Sequence, residues 1–204
     1  MQYIKGIVPE CECWGIDSNV SMLSKIDNKN QYQLLVGNVE NLSMMPADYF
    51  DLATARMVFH HTQNIPKAME ELLRVLKTDG LFMVCEGNPP SIRTIDWYTD
   101  MFRYKEDRHT LTEVDLINAF VRSDSFTDIQ TRSVVMRNCS LNNWLDNSGI
   151  PDENIKMIKE IHYDSPDYVI EDYNMKFTDD DCLMDWKFAI TSGRKRADAG
   201  RASA

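Results

Sequence analysis

The chain has 204 residues, 43% hydrophobic and 26% charged, with 32 acidic against 22 basic side chains and a formal net charge of −10. That length supports one well-filled domain, and the acidic balance argues against a surface built to grip nucleic-acid phosphates. No apolar run approaches a membrane span and the first residues carry no signal-peptide pattern, so neither membrane nor nucleic acid is an expected partner. The 5 cysteines are odd in number and scattered, which suits reduced thiols in the cytoplasm. Cys11-x-Cys13 lacks the second cysteine pair of a zinc site, and no metal is expected there.

Met1 to Pro9 reads as a helix end and a loop. Cys13 to Asp17 reads as a strand ending in a carboxylate, with Ser18 as N-cap of a helix that turns Met22, Leu23 and Ile26 to one side. Gln33 to Val36 is a further buried strand, followed by the polar segment Gly37-Asn38-Val39-Glu40-Asn41-Leu42. Phe50 to Ala55 is short and largely apolar, as a strand covered on both faces should be. Asn64 can cap the next helix, with Pro66 in its first turn. Ile65, Ala68, Met69, Leu72, Leu73 and Leu76 form one stripe at helical spacing. Lys77-Thr78-Asp79-Gly80 supplies a basic last turn and a glycine able to take positive φ. Leu81 to Cys85 then closes a βαβ unit.

Gly87 to Ser91 breaks the chain before a segment rich in aromatic and charged residues, Trp97 to His109. Thr112 caps a helix with Val114, Leu116, Ile117, Phe120 and Val121 inward, and Asp115 offers a capping box. Phe126 to Arg137 reads as a longer strand, and Asn142 to His162 as helix broken at Gly149-Ile150-Pro151. Met184, Trp186, Phe188 and Ile190 alternate with Asp185, Lys187 and Ala189 as a final strand of period two. Residues 193–204 carry no apolar pattern and are expected to be disordered. Strands alternating with helices over 1–192 imply an α/β domain with a largely parallel sheet covered on both sides.

Asp51-Leu52, Phe59-His60-His61 and Leu72-x-x-Val75-Leu76-Lys77-x-x-Gly80 together resemble the second half of a class I S-adenosylmethionine-dependent methyltransferase. Leu73 to Gly80 resembles that family's RVLKPGG turn, with Thr78-Asp79 where Pro-Gly is usual. The resemblance implies a Rossmann-like sheet, mostly parallel with an antiparallel last strand and helices on both faces. It also implies S-adenosylmethionine as methyl donor and a small-molecule acceptor. The family's first strand with its GxGxG loop is missing from this chain; in the resembled fold that strand lies between those ending at Asp17 and Ala55. The resulting expectation is an N-terminally truncated chain with weak or absent donor binding. A catalytically silent methyltransferase-like binding or regulatory domain is the alternative. A nicotinamide-dependent oxidoreductase is a third reading, disfavoured by the Val75–Gly80 turn and the Phe59–His61 loop.

In open α/β sheets ligands gather at the carboxyl ends of the strands, where Asp17, Asn38, Ala55-Arg56-Met57 and Glu86-Gly87 all fall. Asp17 suits the two hydroxyls of a ribose or, equally by position, the dipole of the helix that follows; the resemblance favours the ribose, with Ser18 beside it. By the same resemblance Asn38 and Val39 would meet adenine through an amide and a backbone N–H, against a plain turn role. Met22 packs either on adenine or in the core. His61 reads as substrate-facing or as a simple helix-start histidine. His60-His61 is not read as a metal pair, because adjacent residues point differently and no acidic partner is evident. Where a base is needed, His61, His109 and Glu86 are the candidates. Residues 91–125 and 138–180 are the candidate acceptor-side lid and insertion.

Overall fold

The computed structural model describes residues 1–27 and 31–197. Helix α1 (Gln2–Ile7) leads into β1 (Trp14–Asp17), α2 (Val20–Ser24) and β2 (Gln33–Val36), and β1 and β2 form a two-stranded parallel sheet. The main sheet begins with β3 (Phe50–Arg56), crosses over through α3 (Ile65–Val75) and returns as β4 (Leu76–Asn88), parallel to β3. Helices α4 (Ile95–Phe102) and α5 (Glu113–Arg122) precede β5 (Phe126–Ser140). Helices α6 (Leu141–Asp146), α7 (Asp152–Tyr163) and α8 (Asp167–Asp172) follow, then β6 (Lys176–Phe177) and β7 (Cys182–Lys195). The strand order is β3-β4-β7-β5, with β6 also on β7. Because β7 is antiparallel to both β4 and β5, β5 runs with β4 and only the last strand is reversed. The expected α/β architecture is therefore present.

The α3 stripe behaves as the spacing predicts. Ala68, Met69, Leu72 and Leu76 are buried and Ile65 and Leu73 half-buried, with Val75 buried beside them, and Asn64 Oδ1 accepts the Lys67 N–H at 3.0 Å as an N-cap. Arg74 and Glu71 on the same helix fasten the loop after β2. Glu71 accepts the Leu42 N–H at 2.6 Å, and Arg74 donates to the Met45 and Leu42 carbonyls at 3.0 and 2.6 Å. The loop carrying Asn38 is thus tied to the body of the domain.

Two apolar clusters sit around the main sheet. One gathers Phe59, Met69, Leu72, Phe82, Phe120 and Phe126; the other gathers Trp97, Tyr98, Phe102, Leu145, Ile158 and Met184. Each such side chain, fully buried, contributes roughly 1.5–3 kcal/mol. Strand β7 serves both: Cys182 and Met184 join the second cluster and Ala189 the first, on opposite faces of the strand.

Several sequence expectations need correction. β3 is not covered on both sides: it pairs only with β4, Leu52 is 39% exposed, and β1 is half-buried throughout. Apolar composition cannot bury a strand whose edge has no neighbour, and no strand pairs the facing edges of β1 and β3 among the described residues. Asn19, not Ser18, caps α2, its side chain accepting the Ser21 N–H at 2.9 Å. Asp79, not Gly80, takes the positive φ of 64°. Gly80 answers to crowding instead, since a Cβ there would lie 2.8 Å from the Lys77 carbonyl oxygen. Val114 and Val121 point outward at 62% and 55% exposure.

In the aromatic segment after Ser91, α4 is not a surface helix: it buries Trp97, Tyr98, Met101 and Phe102 in the second cluster. The tail expectation also shifts. Residues Gly193 to Lys195 continue β7, and the Lys195 ammonium is buried against Asp48 and the Leu76 carbonyl at 2.6 and 2.8 Å. Ladder hydrogen bonds and this buried lysine hold a segment that hydrophobicity alone would discard. Residues 198–204 lie outside the described residues.

Candidate active site

A cleft of about 2170 Å³ opens between β1 and β3 and extends towards α6 and β7. Asp17, Ser18 and Met22 line it from β1 and α2, Asn38 and Val39 from the loop after β2, and Ala55 and Arg56 from the end of β3. These residues come from three separate segments, each delivered by a strand end. His61 lines the cleft as well, whereas Glu86 and His109 do not.

On the β1–β2 side the local geometry is that of short polar turns. Asp17 Oδ1 accepts the Asn19 N–H at 2.8 Å, which leaves Oδ2 for another donor. Asn38 Oδ1 accepts the Glu40 N–H at 2.9 Å, so one carbonyl lone pair of that amide is already engaged. Met22 is 51% exposed on the cleft rather than packed in the core.

The β3–β4 side is built around one buried carboxylate. Glu86, fully buried near the end of β4, accepts the Val58 and Phe59 N–H groups on Oε1 at 2.8 and 2.6 Å. Its Oε2 meets His60 Nδ1 at 2.6 Å. This grip holds the turn after β3, where Met57 adopts φ 55°, a left-handed conformation costing about 1 kcal/mol or more for a residue with a Cβ. Glu86 is therefore wholly occupied with shaping the loop.

Beyond His60 the network continues outward. His60 Nε2 lies 3.8 Å from one oxygen of Glu106, and His61 Nε2 lies 3.8 Å from the other. Lys105 and Arg108 flank the same carboxylate at 3.3 and 3.1 Å. Burial pushes the Glu106 carboxyl up, but the Lys105 ammonium and Arg108 guanidinium outweigh it and hold the group below its ordinary range. The Tyr98 hydroxyl, pushed up to about 12 by burial, donates to the Gly87 carbonyl at 3.1 Å. His109 is exposed, and its backbone N–H donates to the His60 carbonyl at 2.8 Å.

Sequence reasoning placed Met57 and the histidine pair at this rim but missed the link between His60, His61 and Glu106. The acidic partner that the His60-His61 pair lacked locally arrives from the segment after α4. Its only trace in the sequence is the density of charge from Lys105 to His109.

Comparison with known proteins gives this arrangement a lineage. Residues 2–84 match the family model described as a methyltransferase domain. The uncharacterized methyltransferase YcgJ of Bacillus subtilis (strain 168) is 26% identical over 157 residues, which covers 72% of this chain and 60% of that protein's length. The crystal structure of YcgJ superimposes with a TM-score of 0.74 at 23% identity, over 91% of this chain and 82% of that one. The BH2331 protein of Bacillus halodurans C-125 gives 0.77 at 14% identity, covering 96% and 88%. An S-adenosylmethionine-dependent methyltransferase from Archaeoglobus fulgidus gives 0.55 at 16% identity, covering 95% and 81%. The structural likenesses establish the fold.

Proposed function

From the match of residues 2–84 to the methyltransferase-domain model and the likeness of the fold to that of YcgJ, we propose that the protein carries out S-adenosylmethionine-dependent methyl transfer to a small-molecule acceptor in the cytoplasm. The observation that carries this reading is the convergence of Asp17, Asn38 and Arg56, from three segments, on one cleft.

The chemistry of these side chains fits the donor. Asp17 offers an acceptor-only carboxylate for vicinal ribose hydroxyls, with Ser18 adjacent. Asn38 and the Val39 N–H offer an acceptor and a donor for the edge of adenine, and Met22 an apolar face beside it. Ala55 and Arg56 close the opposite wall. The donor supplies a methyl group made electrophilic by its sulfonium. What this chain must do is bind, orient the acceptor and exclude water.

Of the three candidate bases, His61 has the position for the work, being on the cleft and half-exposed. Glu86 acts instead through the loop it holds, and His109 stands behind His60. Donor binding by the chain is expected to be weak or absent, since among the described residues no strand pairs the edges of β1 and β3 that flank the cleft. The second reading, a binding or regulatory domain without catalysis, draws on the same openness. Donor titration run beside methyl-transfer assays on a panel of small acceptors separates the two. Turnover that falls in Arg56→Ala and His61→Ala supports the enzyme; saturable donor binding with no transfer to any acceptor favours the silent domain.

A further inference from the structure

The rim formed by His60, His61 and Glu106 poses a hydrogen-bonding problem. Glu86 Oε2, 2.6 Å from His60 Nδ1, accepts the hydrogen bond of an Nδ1–H and so leaves the lone pair of His60 on Nε2. His61 Nδ1 faces the Asp107 carbonyl oxygen at 3.3 Å, which likewise leaves its lone pair on Nε2. Both Nε2 atoms then point at the oxygens of Glu106, each at 3.8 Å. With both imidazoles neutral, three acceptors converge with no side-chain donor between them, and one ligand atom of each residue lies within 4.8 Å of the others. A cation at their centre resolves the conflict.

We propose that His60, His61 and Glu106 bind one divalent transition-metal ion of the zinc class, with Glu86 orienting His60 from behind. Two imidazoles and a carboxylate are the donor set that zinc accepts with one coordination position left open. Metal–ligand bonds of about 2.0–2.2 Å require these atoms to draw together by roughly an ångström, a movement available to the exposed His61 and the half-buried Glu106 while His60 stays fixed. Lys105 and Arg108 bind the flanks of the carboxylate; they temper affinity for a dication but leave lone pairs directed at the histidines. His61 and Glu106 both line the cleft, so the open position faces the proposed acceptor and would take an oxygen, nitrogen or sulfur atom of it. The role assigned to that position rests on the methyl-transfer reading; the metal site itself does not. A histidine serving as ligand is no longer a free base, so the two roles for His61 exclude each other.

The test is calorimetric titration of zinc chloride into the full chain carrying Cys11→Ser and Cys13→Ser, which removes the thiols lying 3.4 Å apart. The expected result is one zinc per chain, with affinity lowered tenfold or more by Glu106→Gln and by His61→Ala while circular dichroism shows an unchanged fold. Cobalt(II) added in place of zinc should give the visible absorption of a low-symmetry site, lost in the same variants. No stoichiometric zinc binding, or binding indifferent to Glu106→Gln, overturns the proposal. Asp17→Ala should leave zinc affinity untouched. Zinc bound by a chain that never binds the donor would remove the functional reading and leave the metal site in place.

Discussion

The two walls of the cleft are anchored in different ways. The β1–β2 wall is a two-stranded sheet whose residues are at most half-buried, held by side chains that bond their own neighbours, such as Asp17 with Asn19 and Asn38 with Glu40. The β3–β4 wall is held by a fully buried carboxylate reaching across 26 to 28 positions of sequence to three partners. One wall is a lightly packed sheet with local turns, its loop after β2 tied to α3 through Leu42 and Met45; the other is held from within by a buried network. Binding groups on the first can adapt to a ligand, whereas groups on the second are fixed before any ligand arrives.

That contrast predicts unequal responses to mutation. The largest effect should come from Glu86→Ala, which leaves the buried His60 and Phe59 N–H and the part-buried Val58 N–H without their partner. A loss on the order of 3–5 kcal/mol is expected, read as a lowered denaturation midpoint. A loss below about 1 kcal/mol would mean that the loop does not depend on this carboxylate.

Next comes an acid response seated behind the second wall. Burial pushes His162 down to about 4, with its Nδ1 on the Ile158 carbonyl at 2.6 Å and Trp97 edge-on at 5.0 Å. Between the unfolded value near 6.5 and the folded one, the unfolded chain binds the extra proton, so stability falls as pH drops through that window. The full loss is on the order of 3 kcal/mol. His162→Phe should flatten that limb of the stability–pH curve, and an unchanged slope would show that another group carries it.

The smallest change belongs to the first wall. Asn19→Ala removes the cap of a 5-residue helix and should cost about 1 kcal/mol or less. Hydrogen exchange sharpens the same comparison: amides of β1 and β2 should exchange faster than those of β4 and β7. Equal protection across the two sheets would erase the distinction drawn between the walls.

The legibility of the sequence follows the same division. Asp17, Asn38 and Arg56 could be placed because each ends a short apolar run, and strand ends in an α/β sheet share a rim. The α3 stripe, the Asn64 cap and the Thr112–Asp115 capping box were equally plain, since all are contacts between near neighbours. The Glu86–His60 pair was not, because nothing local marks which carboxylate a buried histidine will meet. The exposure of β3 was hidden for a related reason: Leu52 is apolar whether or not a strand lies beside it. The run from Gly193 to Lys195 misled in the opposite sense, its polar residues being held by the ladder and by Asp48.

The central claim is that Asp17 grips the donor's sugar. Calorimetric titration of S-adenosylmethionine into the chain and into Asp17→Ala tests it most directly. The account predicts weak, single-site binding that Asp17→Ala lowers about tenfold to a hundredfold, the loss of one or two charge-assisted hydrogen bonds. Equal affinity in the two chains would contradict it.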